Sequence, residues 1–182
     1  MERKVTPVFL EGKEFIVRTL ERSDLTPRYL GWLTDPEINR FLEPSRDNYT
    51  MQQLEEYFES LDDWTHLLFA IIHKESGQHV GNISFNPISR THHRTGMGGL
   101  IGERAFWGTR AFVESMGLLM EYGFRERTFV KIHSGVVLEN IPCIVASKKV
   151  GLVQEGLFKS HWRNRDGTYS DLMLFGKVNP YL

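Results

Sequence analysis

The sequence predicts an α/β protein with a mixed, mostly antiparallel central sheet of six or seven strands, flanked by helices. Three observations support this fold class. Short apolar strand-like runs alternate with amphipathic helical runs. No repeat, low-complexity tract or linker interrupts the 182 residues, so one domain spanning 1–182 is expected. The composition, 41% hydrophobic and 25% charged, is that of an ordinary globular protein.

The elements follow from periodicity in chain order. The first half is predicted to contain an extended segment at Phe9–Leu20, helices that begin at Thr26 and Asp35, a third helix at Met51–Leu61, and strands at Leu67–His73, Val80–Phe85 and Met97–Ile101. The second half is predicted to contain a helix at Thr109–Arg127, a strand at Thr128–Val137, a helix at Asn140–Val150, and a closing hairpin of Leu152–His161 and Tyr169–Phe175.

Turn and cap signals justify the front half. Gly12-Lys13 is a turn inside the extended segment. Thr26-Pro27 combines an N-cap residue with proline at the first helical position. Asp35-Pro36 opens a second short helix, which Pro44 should stop. Thr50 caps the third helix, whose apolar residues recur at helical spacing.

The rear half shows the same kinds of signal. Glu75–Gln78 is a hairpin loop between two strand-like runs, and Ser89–Thr95 is a polar loop. Gly151 is placed to end the helix that Asn140 begins. Arg163–Gly167 is the loop of the final hairpin.

Charge and cysteine content narrow the range of functions. The net charge is −1, from 22 basic and 23 acidic residues, which argues against nucleic-acid binding. The single cysteine, Cys143, cannot form an internal disulfide, so a reducing cytoplasm is expected. The first residues have no apolar segment of a signal peptide, and no apolar run is long enough to span a membrane. A monomer or homodimer is expected.

The most informative stretch runs from Leu100 to Phe124. An apolar strand ends at Ile101, an irregular turn carries Trp107 and Gly108, and a long helical pattern follows. A helix that starts directly after a glycine turn presents free backbone N–H groups and the positive end of its dipole. The layout therefore predicts an anion site, and hence a phosphate-bearing cofactor.

Four segments in this order resemble the GNAT acyltransferases, and in particular the branch that acetylates the N-terminal alanine or serine of ribosomal proteins. Trp107-Gly108-Thr109-Arg110 stands in place of that branch's Trp-Gly-x-Gly. Asn140–Leu152 resembles its following helix, with Asn140, Ala146, Lys149 and Gly151 matching. His161–Asp171 resembles its closing hairpin, and Leu33–Ile38 its substrate-side helices.

The resemblance implies acetyl transfer from acetyl-CoA to a primary amine in a ternary complex, without a metal. The amine could belong to a protein N-terminus, an amino sugar or a small molecule. The pantetheine arm would pair with the Met97–Ile101 strand, and a backbone N–H near Leu100 would face the acetyl oxygen. The residues that the resemblance assigns to coenzyme binding are Leu100, Ile101, Gly102, Trp107, Gly108, Thr109, Arg110, Ala111 and Asn140.

Three positions depart from the family pattern. Arg110 replaces the second glycine of the phosphate loop. The replacement is tolerable if the φ of Arg110 is ordinary, and the Arg110 guanidinium could then bind a phosphate. Gly96 stands where many relatives carry a glutamate base, and Ser147 where many carry a tyrosine acid. These departures keep open a non-catalytic acyl-CoA-binding module. A nucleotide-binding protein is the weaker alternative, because Gly-x-x-x-x-Gly-Lys-(Ser/Thr) is absent.

Three residues are candidates for catalysis, and each of them could instead have only a structural role. His161 is the first choice for a base, although it could be a surface or packing residue. Cys143, at a helix start, could be a nucleophile with a lowered pKa or a small buried residue. Ser147 could protonate the leaving thiolate or only fill space.

The remaining polar residues are weaker candidates. Glu155 either binds the amine or pairs with a surface cation, and His92-His93 is a solvated loop pair more readily than a metal site. Lys148 and Lys149 form a solvated face unless one meets a phosphate. The segment Thr26–Leu61 should form one wall of the acceptor site. Its polar candidates are Asp35, Glu37, Arg40 and Glu43.

Overall fold

The computed structural model describes residues 5–42 and 48–182. One sheet of eight strands runs through it, with four α-helices and two short 3₁₀ turns, Arg22–Asp24 and Arg104–Phe106. The elements are β1 (Phe9–Glu11), β2 (Phe15–Thr19), α1 (Pro27–Thr34), α2 (Met51–Glu59), β3 (Leu67–His73), β4 (His79–Ser89), β5 (Arg94–Ile101), α3 (Ala111–Arg125), β6 (Lys131–Val137), α4 (Ile141–Lys149), β7 (Val153–Arg163) and β8 (Tyr169–Val178).

The strand order is β1-β2-β3-β4-β5-β6-β8-β7, and every neighbouring pair is antiparallel except β5 and β6. Those two strands run parallel and pair only between Arg94–Gly96 and Lys131–His133. Beyond this short contact, Met97–Ile101 and Ser134–Val137 pair with their other neighbours but not with each other. We call this opening in the middle of the sheet the fork.

The two faces of the sheet carry separate apolar cores. On one face the strands pack against α3 and α4, with Phe69 and Phe85 fully buried. On the other face they pack against α1 and α2, where Trp32 and Phe58 are buried. The alternation of side chains along each strand assigns them to the two cores. No helix in the described part of the chain combines the length and apolarity needed to cross a membrane.

A buried carboxylate fixes α3 against the start of the sheet. Glu114 Oε1 accepts hydrogen bonds from the amides of Glu14 (2.8 Å) and Phe15 (3.1 Å). Gly12 is required here, because a Cβ at that position would overlap the same carboxylate oxygen. The helix that begins at the predicted phosphate loop is therefore tied directly to β2.

The predicted fold class is confirmed, and several boundaries shift. The sheet has eight strands, since the turn after Glu11 divides the first extended segment. Thr26 and Thr50 cap their helices, and the Thr50 hydroxyl accepts from the Gln53 amide. The polar loop after Ser89 is shorter than predicted, because β5 already begins at Arg94.

The helix predicted at Asp35-Pro36 is wrong. Asp35 Oδ1 caps the amides of Glu37 (2.9 Å) and Ile38 (3.2 Å), but residues 36–41 form successive turns. The Asn39 side chain then donates to the carbonyl of Leu33 (2.6 Å), folding the segment back on α1. Pro44 and Glu43 lie outside the described residues.

Candidate functional site

A cleft of about 410 Å³ lies where the fork opens, on the face of the sheet that carries α1 and α2. Strands β3 to β6 form its floor, and α1, the 35–42 turns and α2 form one wall, which we call the acceptor wall. The side chains that give the cleft its character are polar or aromatic: Tyr29, Phe41, Tyr57, His66, Asn82, Ser84, Asn86, His133, Ser134 and Trp162.

Glycines form the part of the floor beside the fork. A Cβ on Gly98 would meet nothing within 4 Å, so this residue leaves open space above β5. Gly96 is different, because a Cβ there would lie 3.0 Å from the carbonyl carbon of Asn86 and closer still to its oxygen. This explains the missing glutamate of the family pattern: the backbone of β4 occupies the space that its side chain would need.

His133 takes the place beside Gly96. The two residues are register partners across the parallel β5–β6 contact, and His133 lines the cleft. Its Nδ1 is buried and has no hydrogen-bond partner within the described residues. Burial, Arg94 and Lys131 lower the pKa of His133, while Glu155 acts in the opposite direction. The imidazole is therefore neutral at pH 7 and can accept a proton.

A second histidine lines the cleft on the far side of the floor. His66 Nε2 lies 2.9 Å from the hydroxyl of Tyr57, which comes from α2. His66, His133 and Trp162 line the cleft but were not among the site residues predicted from the sequence. Period-two alternation provides a signal for His133, since it is half-buried between the buried residues Ile132 and Ser134.

The predicted phosphate loop joins β5 to α3 and is held by its own side chains. Trp107 Nε1 donates to the carbonyl of Ile101 (2.8 Å), which ties the loop to the end of β5. Thr109 Oγ1 donates to the carbonyl of Phe106 (2.7 Å) and accepts from the amide of Ala111 (3.2 Å). Gly108 has φ +73°, in the left-handed region that favours glycine.

This loop presents unpaired donors at a helix N-terminus. Within the described residues, the amides of Gly108, Arg110, Phe112 and Val113 have no hydrogen-bond acceptor. Together with the dipole of the 15-residue α3 they form a cradle suited to a phosphate or diphosphate. Arg110 has φ −79° and ψ −7°, so the ordinary φ that its presence requires is confirmed. Its exposed side chain adds positive charge at the same place.

Two of the residues assigned to coenzyme binding are engaged elsewhere. The amide of Gly102 donates to the carbonyl of Val80 (2.9 Å), and a Cβ on Gly102 would overlap the Trp32 ring. Ala111 is fully buried. Gly102 is therefore a glycine because α1 packs against it. Leu100 lines the cleft from β5, as the pairing of the pantetheine arm would require.

Three candidate residues lie at or on α4: Asn140, Cys143 and Ser147. Asn140 Oδ1 accepts from the amide of Cys143 (3.3 Å), so its role as a helix cap is confirmed. Of the two interpretations of Cys143, the nucleophile with a lowered pKa is wrong: burial raises the pKa of its thiol to about 11, although the nearby Ser147 hydroxyl acts against this. Ser147 is fully buried beside it. Neither side chain lines the cleft.

His161 does not reach the cleft. It is exposed on β7, and its ring lies 4.9 Å from the ring of Phe158. It projects from a bulge, and the cleft-facing position is taken by the next residue, Trp162. The structure thus separates the sequence-based choice of base from the site.

Other candidates have structural roles. Glu155 forms an ion pair with Lys131 (2.6 Å), as its surface interpretation predicted. Asp35 and Glu37 both bind Arg104, which links the acceptor wall to the phosphate loop. His92 and His93 are exposed in the β4–β5 turn, and Lys148 and Lys149 are exposed at the end of α4. Within residues 5–42 and 48–182, no group of three or more His, Cys, Asp or Glu side chains could hold a metal ion.

A forked sheet with free amides at the start of a helix is the arrangement that the resemblance to acyltransferases predicts. The family model described as "Acetyltransferase (GNAT) domain" matches residues 14–153, and the chain belongs to this family. It is an acetyl-CoA-dependent N-acetyltransferase.

Two relatives carry names that agree with this activity. "Uncharacterized N-acetyltransferase p20" of Bacillus licheniformis is 27% identical over 162 residues, which is 86% of both chains. "Probable N-acetyltransferase YjcK" of Bacillus subtilis is 26% identical over 180 residues, covering 94% of this chain and 97% of that protein.

Two solved structures share the fold. The ribosomal L7/L12 α-N-protein acetyltransferase RimL in complex with coenzyme A has a TM-score of 0.84 at 13% identity, covering 94% of this chain and 98% of that one. Spermidine N-acetyltransferase from Vibrio cholerae, in complex with CoA and spermine, has a TM-score of 0.82 at 20% identity, covering 92% and 97%.

Proposed function

We propose that this N-acetyltransferase binds acetyl-CoA through the free amides of Gly108–Val113 and transfers the acetyl group to a primary amine held in the cleft, directly and within a ternary complex. One observation carries the proposal. A cradle of unpaired amides at the start of α3 adjoins a fork in the sheet, and that fork opens onto a cleft lined by neutral polar and aromatic side chains.

The chain's own groups suit each part of the coenzyme. The amides of Gly108, Arg110, Phe112 and Val113 would hold the diphosphate, with the Arg110 guanidinium adding charge. The fork leaves the edge of Met97–Ile101 available to the pantetheine arm. Asn140, at the N-terminus of α4, can serve the arm only through donors that its capping bond leaves unused.

The transfer step balances without a metal or a covalent enzyme intermediate. The amine nitrogen forms a bond to the acetyl carbon, the carbon–sulfur bond breaks, and the thiolate takes up a proton. A backbone N–H aimed at the acetyl oxygen is worth about 3 kcal/mol in the barrier. Holding both substrates in contact supplies more, on the order of 7 kcal/mol. Positioning therefore outweighs any single side chain.

His133 is our candidate for the group that removes the amine proton. It is neutral at pH 7, lines the cleft, and lies beside Gly96, the position where many relatives carry their base. The proton taken by His133 balances the one that the thiolate receives. In this scheme His133 replaces His161, and neither Cys143 nor Ser147 takes part in the chemistry.

The acceptor class is open among protein N-termini, amino sugars and small amines. The fold neighbours named above act on a ribosomal protein in one case and carry spermine in the other, so they span this range. Within the described residues, the side chains lining the cleft include no carboxylate and no lysine or arginine. These described side chains offer a second ammonium no charged partner, which favours an acceptor with a single amino group over a polyamine.

The test combines binding and turnover. Titration calorimetry measures coenzyme A binding, and a thiol-release assay measures transfer from acetyl-CoA to an alanyl peptide amide, glucosamine, phenethylamine and spermidine. We expect coenzyme A binding, turnover of at least one monoamine, and slower turnover of spermidine. Coenzyme A binding without turnover of any amine would support the alternative, a non-catalytic acyl-CoA-binding module.

A matched pair of histidine variants tests the base. His133→Gln should lower kcat by about a hundredfold, since positioned proton transfer contributes that much or more. His93→Gln, at an exposed turn position, should leave kcat unchanged. Equal kcat values in the two variants would remove His133 from the mechanism.

We further propose a cytoplasmic location, because the chain's single cysteine cannot form an internal disulfide.

A further inference from the structure

The closing hairpin contains a bulge in β7. Phe158 pairs with Leu172 and Trp162 pairs with Ser170, so three residues of β7 lie opposite the single residue Asp171 of β8. Two extra residues keep Phe158 and Trp162 on the same face of the sheet. A bulge also bends its strand and redirects the side chains beyond it. Here the first paired side chain beyond the bulge is the one that enters the cleft.

The Asp171 carboxylate accepts hydrogen bonds from two residues of this bulge. Its Oδ1 accepts from the amide of Ser160 (2.9 Å) and its Oδ2 from Nζ of Lys159 (2.8 Å). Both contacts lower the pKa of Asp171, so the carboxylate is charged at neutral pH. Ser160 has φ +49°, an unfavourable conformation for a residue with a Cβ, and its hydrogen bond to Asp171 supports it. The Asp171 carbonyl also accepts from the Leu138 amide (3.0 Å), which anchors it at the end of β6.

Beyond the bulge the hairpin reaches across the cleft. Trp162 is half-buried and lines the cleft together with Tyr29 and Tyr57 of the acceptor wall. In the hairpin turn, Nη1 of Arg165 donates to the carbonyl of Asn39 on that wall (3.2 Å). The hairpin therefore spans the cleft from β7 to the acceptor wall, and Trp162 is one of its residues that line the cleft.

We propose that Trp162 is a specificity-determining contact for the acceptor amine and that Asp171 is the residue that positions it. The inference rests on the proposed function. A ring at this place packs against the carbon body that carries the amine, so it favours acceptors with a flat or bulky body beside the amino group. An aliphatic polyamine offers no such body. Sequence similarity alone does not identify this contact, because the bulge decides which residue faces the cleft.

Acceptor kinetics test the contact. For each of alanyl peptide amide, glucosamine and phenethylamine that the enzyme acetylates, Trp162→Ala should raise the acceptor KM about tenfold and leave the acetyl-CoA KM unchanged. Trp162→Phe should recover most of the loss. Trp64→Ala removes an exposed tryptophan outside the cleft and should match the wild type. An equal acceptor KM in the two alanine variants would overturn the proposal.

A spectroscopic measurement tests the positioning and needs no turnover. The indole ¹H–¹⁵N signal of Trp162, assigned by its loss in Trp162→Phe, should shift when these amines are added at millimolar concentration to the coenzyme A complex. It should also move in Asp171→Ala and stay in place in Asp171→Asn, which keeps the acceptor for the Ser160 amide. A Trp162 signal that no amine and no Asp171 variant moves would overturn the inference.

Failure of the proposed function and failure of the further inference give different experimental results. Loss of coenzyme A binding, or binding without turnover of any amine, contradicts the proposed function. Turnover with an acceptor KM that is insensitive to Trp162 contradicts only the further inference.

Discussion

Replacing Gly96 by alanine tests the explanation for the missing catalytic glutamate. The new Cβ would lie 3.0 Å from the carbonyl carbon of Asn86, 3.4 Å from Cδ of Pro87, and nearer still to the Asn86 oxygen. Ordinary carbon–carbon contacts are about 3.5–4.0 Å, so β4 and β5 must move apart. Overpacking of this kind costs about 1–3 kcal/mol. The free energy of unfolding should fall by that amount.

Gly98→Ala is the matched control. It lies two residues away on the same strand and face, and its Cβ would meet nothing within 4 Å. Its φ is outside the left-handed region, so alanine should stabilise the fold by about 0.4–1 kcal/mol by restricting the unfolded chain. It should still impair turnover, because Gly98 lines the cleft. The two substitutions therefore have opposite signs in stability.

Urea denaturation, monitored by circular dichroism, measures the free energy of unfolding of both variants. With a slope of about 2 kcal/mol per molar urea, the midpoint should fall by about 1 M in Gly96→Ala and rise slightly in Gly98→Ala. If Gly96→Ala unfolds at the wild-type midpoint, the backbone of β4 does not exclude a side chain there. The absence of the glutamate would then need another cause.

Four further outcomes follow from the site and its supports. Gly108→Ala should lower the free energy of unfolding by about 1–2 kcal/mol in urea denaturation, because alanine at φ +73° is strained by that amount. Arg94→Gln should raise the pKa of His133, moving the acidic limb of the kcat/KM profile to higher pH; an unmoved limb would argue against His133. Iodoacetamide should alkylate native Cys143 slowly at pH 8, and Cys143→Ala should keep its activity, since the thiol pKa is about 11. Glu114→Gln should lose about 1.5–3 kcal/mol of stability in urea by weakening two charge-assisted bonds, and an unchanged midpoint would contradict that role.

The phosphate loop was predictable because its determinants are local. A glycine turn followed by a helical pattern specifies free amides whatever the rest of the chain does, and the unpaired amides around Arg110 agree with that expectation. The caps Thr26, Thr50 and Asn140 were predictable for the same reason, since each binds an amide three residues ahead. The helix predicted at Asp35 fails although Asp35 caps two amides, because a contact outside the segment, from the Asn39 side chain to the Leu33 carbonyl, folds it back on α1.

The catalytic candidates were not predictable, because they depend on which strands become neighbours. His133 is a site residue only because β6 runs parallel to β5 and parts from it just beyond Gly96. Trp162 faces the cleft, and His161 does not, because a bulge opposite Asp171 sets the register of β7. Burial of Cys143 raises its pKa, so tertiary packing excluded one of the two alternatives that its place at a helix start had left open.

The sequence by itself determined the helix caps and the free amides at the start of α3, because each of these arises from residues within one or two turns of each other. The order of strand-like and helical segments determined the fold class. Only the tertiary structure decided where the cleft lies, which histidine reaches it and which aromatic residue covers it. Those choices depend on strand order and register, which bring together residues far apart in the chain, and a shift of one residue in register turns a side chain to the opposite face.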